Sequence, residues 1–163
     1  EILMQLSKHF KLSEFTKSQV AVRKGIKNTP SSGEIKNLTD LCYGVLEKAR
    51  AKFDRPVTIN SGFRCLELNR AIGSGDSSQH TKGQAADIEI PGVPNIQLAY
   101  WIQGNCDFDQ LILEFYQPEE DSAGWVHVSF CEGSNRNQVL TFNGKKYDNG
   151  LPEMKWKGGK VVE

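Results

Sequence analysis

The most informative stretch of the chain is SQHTKGQAADI, at residues 78–88. His80 stands near its start and Asp87 follows seven positions later, with a turn-forming glycine and several small residues between them. A second histidine, His127, comes forty positions after the aspartate, inside the alternating run WVHVSF at residues 125–130. Two imidazoles and one carboxylate make a mixed nitrogen and oxygen set that zinc accepts, with a fourth position left for water. We therefore expect His80, Asp87 and His127 to bind one zinc ion per chain.

The overall composition indicates one folded domain of ordinary size. Of the 163 residues, 38% are hydrophobic and 25% are charged, as in globular proteins rather than disordered chains. Twenty Lys and Arg balance twenty Asp and Glu, so the basic excess typical of nucleic-acid binding is missing. No apolar run approaches the roughly 20 residues of a membrane span. We expect a monomer with a single domain over residues 1–163, comprising a core at about 5–131 and a C-terminal strand and tail at 132–163.

Other side chains able to bind a metal lack a comparable context. The four cysteines show no CxxC pairing and stand at Cys42, Cys65, Cys106 and Cys131. This spacing excludes a zinc finger, and we predict isolated thiols. Disulfides would need an oxidising compartment, which the sequence leaves open. His9 is predicted to be a surface residue.

Helical periodicity is clearest between residues 33 and 53, where apolar side chains recur at three- and four-residue spacing. Shorter helices are predicted at residues 12–15, 65–71 and 95–103. Ser13 and Asn95 are the predicted N-caps of the first and last of these, since both side chains accept hydrogen bonds from free backbone N–H groups.

Alternating apolar and polar residues indicate the strands. These are predicted at residues 57–64, 84–90, 107–115, 125–130 and 139–142, with a turn at 143–144. The alternation places four residues on the more polar face of their own strands, namely Arg64, Asp87, Glu114 and His127. If those strands share one antiparallel sheet, the four side chains converge above it. Beyond Tyr147 the chain is rich in Lys and Gly and is predicted to be loose or packed on the surface.

Three motifs together resemble one known family. SGFR at residues 61–64, SQHxxGxAxD at 78–87 and WxHVS at 125–129 are similar to motifs of the zinc D-alanyl-D-alanine peptidases of bacterial cell walls. That superfamily includes phage L-alanyl-D-glutamate endolysins and shares its metal-binding core with hedgehog signalling domains. The resemblance covers roughly residues 5–131. It implies an α+β fold, with a small antiparallel sheet and flanking helices, one zinc ion, and hydrolysis of peptidoglycan stem peptides at a D-Ala-D-Ala or an L-Ala-D-Glu bond.

The resemblance also implies roles for individual residues. The two histidines and the aspartate of the predicted zinc set match the family's metal ligands. Arg64 matches the arginine that holds a substrate carboxylate or carbonyl near the metal. Ser78 and Gln79 either position substrate or shape the loop that carries the first histidine.

The catalytic carboxylate departs from the common family pattern. Many members have it a few residues before the last histidine, but the position three before His127 is Gly124. Another arrangement has it at the end of the preceding strand, which makes Glu114 the preferred general base. Asp121, in an acidic loop, is the reserve candidate.

A non-catalytic alternative stays open at this point. The chain would then be a zinc-stabilised module that binds peptidoglycan or a partner without cleaving it. No basic patch followed by an apolar stretch is visible at the N-terminus, so no secretory signal is predicted. We expect a protein made in the cytoplasm and acting on the cell wall, in a phage or prophage setting.

Overall fold

The computed structural model describes residues 4–154, 156–157 and 160–161, with the backbone alone for the last two pairs. It is an α+β fold in which the apolar face of a six-stranded sheet shares one core with the helices. The expected fold class is confirmed. None of the helices in the described part of the chain combines the length and the apolar character that a membrane crossing requires.

A helical stretch from Ser32 to Phe53 forms most of the helical side of the core. It consists of α3 (Ser32–Leu41), a π-helical turn (Cys42–Leu46) and α4 (Glu47–Phe53). Ser31 caps it, because its hydroxyl accepts from the Glu34 N–H while the Glu34 carboxylate accepts from the Ser31 N–H. The predicted long helix is confirmed, and its internal π turn is an addition that periodicity does not reveal.

The N-terminal segment contains more structure than the sequence predicts. A hairpin of β1 (Gln5–Ser7) and β2 (Phe10–Lys11) precedes α1 (Leu12–Thr16) and α2 (Gln19–Lys24). Ser13 lies inside α1, so the predicted cap is wrong; the Glu14 carboxylate accepts the Lys11 N–H at this end instead. Ser18 caps the unpredicted α2.

Two further helices, α5 (Leu66–Ala71) and α6 (Asn95–Asn105), agree with their predicted positions. The predicted cap at Asn95 is wrong, because Pro94 occupies the N-cap position. The buried Asn95 amide instead donates to the carbonyls of Ala123 and Gly124, at 3.2 and 3.1 Å. It thereby fixes the loop that leads back into the sheet.

The main sheet has the strand order β3-β4-β6-β5-β7-β8. Its strands are β3 (Thr58–Ser61), β4 (Ala85–Glu89), β5 (Gln110–Glu114), β6 (Trp125–Ser129), β7 (Gln138–Phe142) and β8 (Tyr147–Asn149). All neighbouring pairs are antiparallel except β5 and β7, which are parallel. The antiparallel prediction therefore holds for the four strands around the motifs, and β7 and β8 extend the same sheet.

Two predicted strand ends need correction. Strand β3 ends at Ser61 and Arg64 lies in the loop after it, since the Phe63 N–H donates to the Phe15 carbonyl rather than to β4. Strand β5 ends at Glu114, and Phe115 adopts a left-handed φ of 58°. Beyond Tyr147, β8 pairs with β7 at the edge of the sheet, and Leu151 and Met154 pack against the core, which agrees with a tail packed on the surface. Residues 155, 158–159 and 162–163 lie outside the described part of the chain. The four cysteines are free thiols, as predicted.

Candidate metal centre

Three side chains from separate parts of the chain meet on the polar face of the sheet. His80 lies in a 3₁₀ turn (Gln79–Lys82), Asp87 on β4 and His127 on β6. One potential ligand atom from each lies within 4.8 Å of the others. The Asp87 Oδ1 atom is 3.1 Å from His127 Nδ1 and 3.4 Å from His80 Nε2. The meeting of Asp87 and His127 agrees with the predicted convergence and follows from the register, since the two residues are direct cross-strand partners.

The backbone fixes the tautomer of His80. Its Nδ1 atom is 2.7 Å from the Gly62 carbonyl oxygen, which can only accept, so Nδ1 carries the proton. Burial lowers the pKa of this imidazole and keeps it neutral. The unprotonated Nε2 therefore points a lone pair at the Asp87 carboxylate. Two acceptors facing each other at this distance call for a cation between them.

Asp87 supplies the negative charge of the cluster. Burial is the largest single influence and raises the pKa of Asp87, but the two neighbouring imidazoles of His127 and His80 together outweigh burial and hold that pKa well below its ordinary value. The carboxylate is thus ionised at neutral pH, although its side chain is only 13% exposed. Two imidazoles and an ionised carboxylate at this spacing fit a bound divalent metal ion.

The turn that carries His80 depends on Gly83. Its backbone has a left-handed φ of +71°, and a Cβ at this position would come within 2.5 Å of the Glu34 carbonyl oxygen. The glycine therefore lets the turn pack directly on helix α3. Ser78 completes the turn, because its hydroxyl accepts the His80 N–H.

The cluster formed by His80, Asp87 and His127 lies in a cleft of about 680 Å³, a usual size for a small-ligand site. Glu114, at the end of β5, lines this cleft, and its Oε2 atom accepts a hydrogen bond from the Trp125 indole N–H at 2.9 Å. Burial, with a further contribution from the Asp87 charge, raises the pKa of Glu114. A carboxylate with a raised pKa is better suited to general base catalysis near neutrality.

Asp121, the reserve candidate for the general base, lies outside this cleft. Asp121 is exposed and lines a separate pocket with Glu89 and Pro94. A carboxylate at position 124 is sterically excluded, because Gly124 has φ +73° and a Cβ there would lie 1.8 Å from the Glu114 carbonyl oxygen. This contact explains the departure from the common family pattern.

Arg64 lines the same cleft. Its backbone N–H donates a hydrogen bond to the carbonyl of His80, one of the three candidate metal ligands, at 3.1 Å. Its Nε and Nη1 atoms donate to Asn69 Oδ1 and Ser61 Oγ, at 3.1 and 3.0 Å. Within the described chain no partner is bound to Nη2. The guanidinium is therefore held in position with one donor group available to a ligand.

Gln79 belongs to a network that the sequence does not reveal. Its amide donates to Asp109 Oδ2 at 2.8 Å, and Asp109 also accepts from Arg136 through the backbone N–H, Nε and Nη2, at 3.1, 2.9 and 2.8 Å. Arg136 holds the pKa of Asp109 down to about 2. Arg136 lies 27 positions after Asp109 in the chain. The only feature of the sequence that points to this network is a charged residue next to an apolar strand. The substrate-binding role expected for Ser78 and Gln79 stays a prediction.

The remaining histidine is outside the cleft. His9 is exposed, as predicted, and its Nδ1 atom contacts Glu47 Oε1 at 2.6 Å.

Comparison with known proteins adds an independent line of evidence. The sequence profile described as Peptidase M15 matches residues 8–129. The zinc D-Ala-D-Ala carboxypeptidase of Streptomyces albus G is 43% identical over 35 residues, which make up 22% of this chain and 14% of that enzyme. The matched segment is thus a small part of that protein.

Proposed function

The chain belongs to the peptidase M15 family, and on this premise we propose that it is a zinc-dependent peptidase that hydrolyses peptidoglycan stem peptides. The observation that carries the proposal is a neutral imidazole lone pair and an ionised carboxylate facing each other beside a second imidazole. Glu114 and Arg64 line the same cleft. The scissile bond is D-Ala-D-Ala or L-Ala-D-Glu.

We assign the metal site to one zinc ion held by His80, Asp87 and His127. When bound, zinc polarises a carbonyl group and lowers the pKa of water from about 15.7 to about 7. The set suits zinc because it combines two imidazole nitrogens with one carboxylate oxygen, ligand types that catalytic zinc sites use.

Glu114 acts as the general base. It takes a proton from the attacking water and returns it to the leaving amine, a contribution typically worth ~10²–10⁴-fold in rate. Its raised pKa favours both transfers, because the carboxylate gains and loses the proton closer to neutral pH. The Trp125 indole N–H keeps the carboxylate oriented within the cleft.

Arg64 binds and orients the substrate. Its available Nη2 group donates to a substrate carboxylate or carbonyl oxygen, and charge-assisted hydrogen bonds of this kind are about twice as strong as neutral ones. The bonds to Ser61 and Asn69 hold the guanidinium before substrate arrives. The same group stabilises the negative charge that develops on oxygen during hydrolysis.

The test is digestion of purified peptidoglycan, followed by measurement of newly released amino groups. We expect release to stop with a chelator and to resume when zinc is added back. Equal release with and without chelator would count against a zinc enzyme. Mass spectrometry of products from a defined muropeptide identifies the bond.

Glu114→Gln separates catalysis from binding. We expect this variant to keep its fold and its zinc content while turnover falls by ~10²-fold or more. Glu119→Gln, in the exposed acidic loop, is the matched control and should retain full turnover. A wild-type chain that binds peptidoglycan and zinc but releases no product would instead be a binding module.

A further inference from the structure

Aromatic side chains extend from the cleft, on the side away from the candidate metal ligands. Glu114 pairs across the sheet with Trp125 on one side and with Phe142 on the other, and Phe142 pairs with Tyr147. Directly paired residues share a face of the sheet. The carboxylate therefore lies between aromatic neighbours, and we call Trp125, Phe142, Tyr147 and the adjacent Phe115 the aromatic row.

Each ring of the aromatic row contacts the next ring along the row. Phe142 and Tyr147 are stacked with their centroids 4.3 Å apart, while Phe115 lies 5.6 Å from Phe142 and 5.1 Å from Trp125. Two members are well exposed, Phe115 at 40% and Tyr147 at 56%. Trp125 and Tyr147 also line the cleft. The result is a continuous aromatic surface that begins at the catalytic carboxylate and extends to the edge of the sheet.

The backbone of Phe115 is bent to complete this surface. Strict alternation would turn its side chain to the same side as the buried Leu113. Instead Phe115 has φ 58°, which is uncommon for a residue other than glycine and costs free energy. Its N–H is still bonded, to the Phe142 carbonyl at 2.8 Å. Strain that brings a large apolar ring into solvent, beside an active-site cleft, indicates a ligand for that ring.

We propose that the aromatic row binds a sugar ring of the glycan strand that carries the stem peptide, an inference that rests on the proposed function. A pyranose ring has an apolar face of C–H groups that packs on aromatic faces, and hydroxyls around its rim. Asn149, on the same face of β8 as Tyr147, adds an exposed amide for those hydroxyls.

The position of the aromatic row selects between the two candidate bonds. Neighbouring strands are about 4.8 Å apart, so Phe142 and Tyr147 stand roughly 5 and 10 Å from Glu114. In a stem peptide the sugar bears a lactyl group followed by L-Ala. Counting about 3.5 Å per unit, the sugar is roughly 7 Å from an L-Ala-D-Glu bond but roughly 17 Å from a D-Ala-D-Ala bond. The aromatic row therefore fits cleavage between L-Ala and D-Glu, close to the glycan.

The experiment compares an N-acetylmuramoyl tripeptide with the same tripeptide lacking the sugar. We expect kcat/KM to be about tenfold higher with the sugar, equivalent to one added aromatic packing interaction. Tyr147→Ala should reduce that ratio to about one. Tyr43→Ala, which removes an exposed tyrosine of the π turn, should leave the ratio unchanged. Products should show cleavage after L-Ala.

The outcomes separate this inference from the function it rests on. If neither peptide is cleaved, the proposed function fails; sugar binding is then tested alone, by indole fluorescence of the zinc-loaded Glu114→Gln variant titrated with N-acetylmuramic acid. Equal rates on both peptides, together with no effect of Tyr147→Ala, would overturn the sugar site while the peptidase stands. The same gain from a simple acyl group in place of the sugar would also overturn it, since the row would then take any apolar group.

Discussion

Removing the Asp109 carboxylate tests the network beneath the cleft. Asp109 is only 5% exposed in its side chain and accepts four hydrogen bonds, three of them from Arg136. Arg136 lowers the pKa of Asp109 from an ordinary value of about 3.9 to about 2. This depression of the pKa corresponds to about 2–3 kcal/mol of stability at neutral pH. We therefore expect Asp109→Asn to lower the free energy of unfolding by about that amount at pH 7.

The pH dependence gives the sharper prediction. Because the folded pKa is depressed, the stabilisation is fully present above about pH 4, where the unfolded carboxyl is also ionised. It is lost as the pH falls towards 2, where the folded carboxyl becomes protonated. The difference between wild type and Asp109→Asn should shrink across that window. Urea unfolding, followed by circular dichroism at pH 7, 5, 4, 3 and 2, measures it.

The chain offers a matched control in Arg70 and Asp76. This pair has the same two-pronged geometry, at 2.9 and 2.7 Å, but both side chains are more than half exposed. Exposed ion pairs contribute little because water competes for both partners. Asp76→Asn should therefore have a much smaller effect than Asp109→Asn at every pH. Equal effects of the two substitutions, or an Asp109→Asn effect that does not change with pH, would refute the argument from burial and charge.

Three further predictions concern the cleft itself. Trp125→Phe removes the hydrogen bond that opposes burial at Glu114, so the acid limb of the kcat/KM profile should move to higher pH; an unmoved limb would contradict the assignment. Gly124→Ala should destabilise the fold by at least about 2 kcal/mol in thermal unfolding, because its Cβ meets the backbone of β5; wild-type stability would contradict the steric argument. Zinc at 100 times its Kd should stabilise the metal-free chain by about 2.7 kcal/mol. His80→Ala should abolish that gain and His9→Ala should not, as differential scanning calorimetry would show.

Local patterns in the sequence predict the elements that build the site. Period-two alternation places Asp87, Glu114 and His127 on the correct faces of three strands, and these strands are neighbours in the sheet. The three- and four-residue spacing predicts the long helix from about residue 33 to 53. Both patterns depend only on residues that are close in sequence. They therefore agree with the folded structure wherever one face of a helix or strand is buried.

Departures from the predicted structure come from hydrogen bonds between distant residues. Arg64 leaves the strand because Phe63 bonds to Phe15, and Asp109 is buried because Arg136 folds back over it. Phe115 departs from the alternation through its positive φ while its N–H bonds to the Phe142 carbonyl of β7, a strand that no alternation rule could place in parallel beside β5. None of these partners is near in sequence, and each correction concerns a residue at or beside the cleft.

The register that forms the core is also the register that forms the site. Six buried residues on β4, β5 and β6 share the apolar face, namely Ala86, Ile88, Leu111, Leu113, Val126 and Val128. A slip of one residue would turn this whole set towards water and the polar residues towards the core. Each large apolar side chain contributes about 1.5–3 kcal/mol when buried, so the slipped arrangement is heavily disfavoured. The ligand atoms of Asp87 and His127 are thus held together by core packing, and the hydrogen bond from His80 Nδ1 to the Gly62 carbonyl holds the second imidazole beside them.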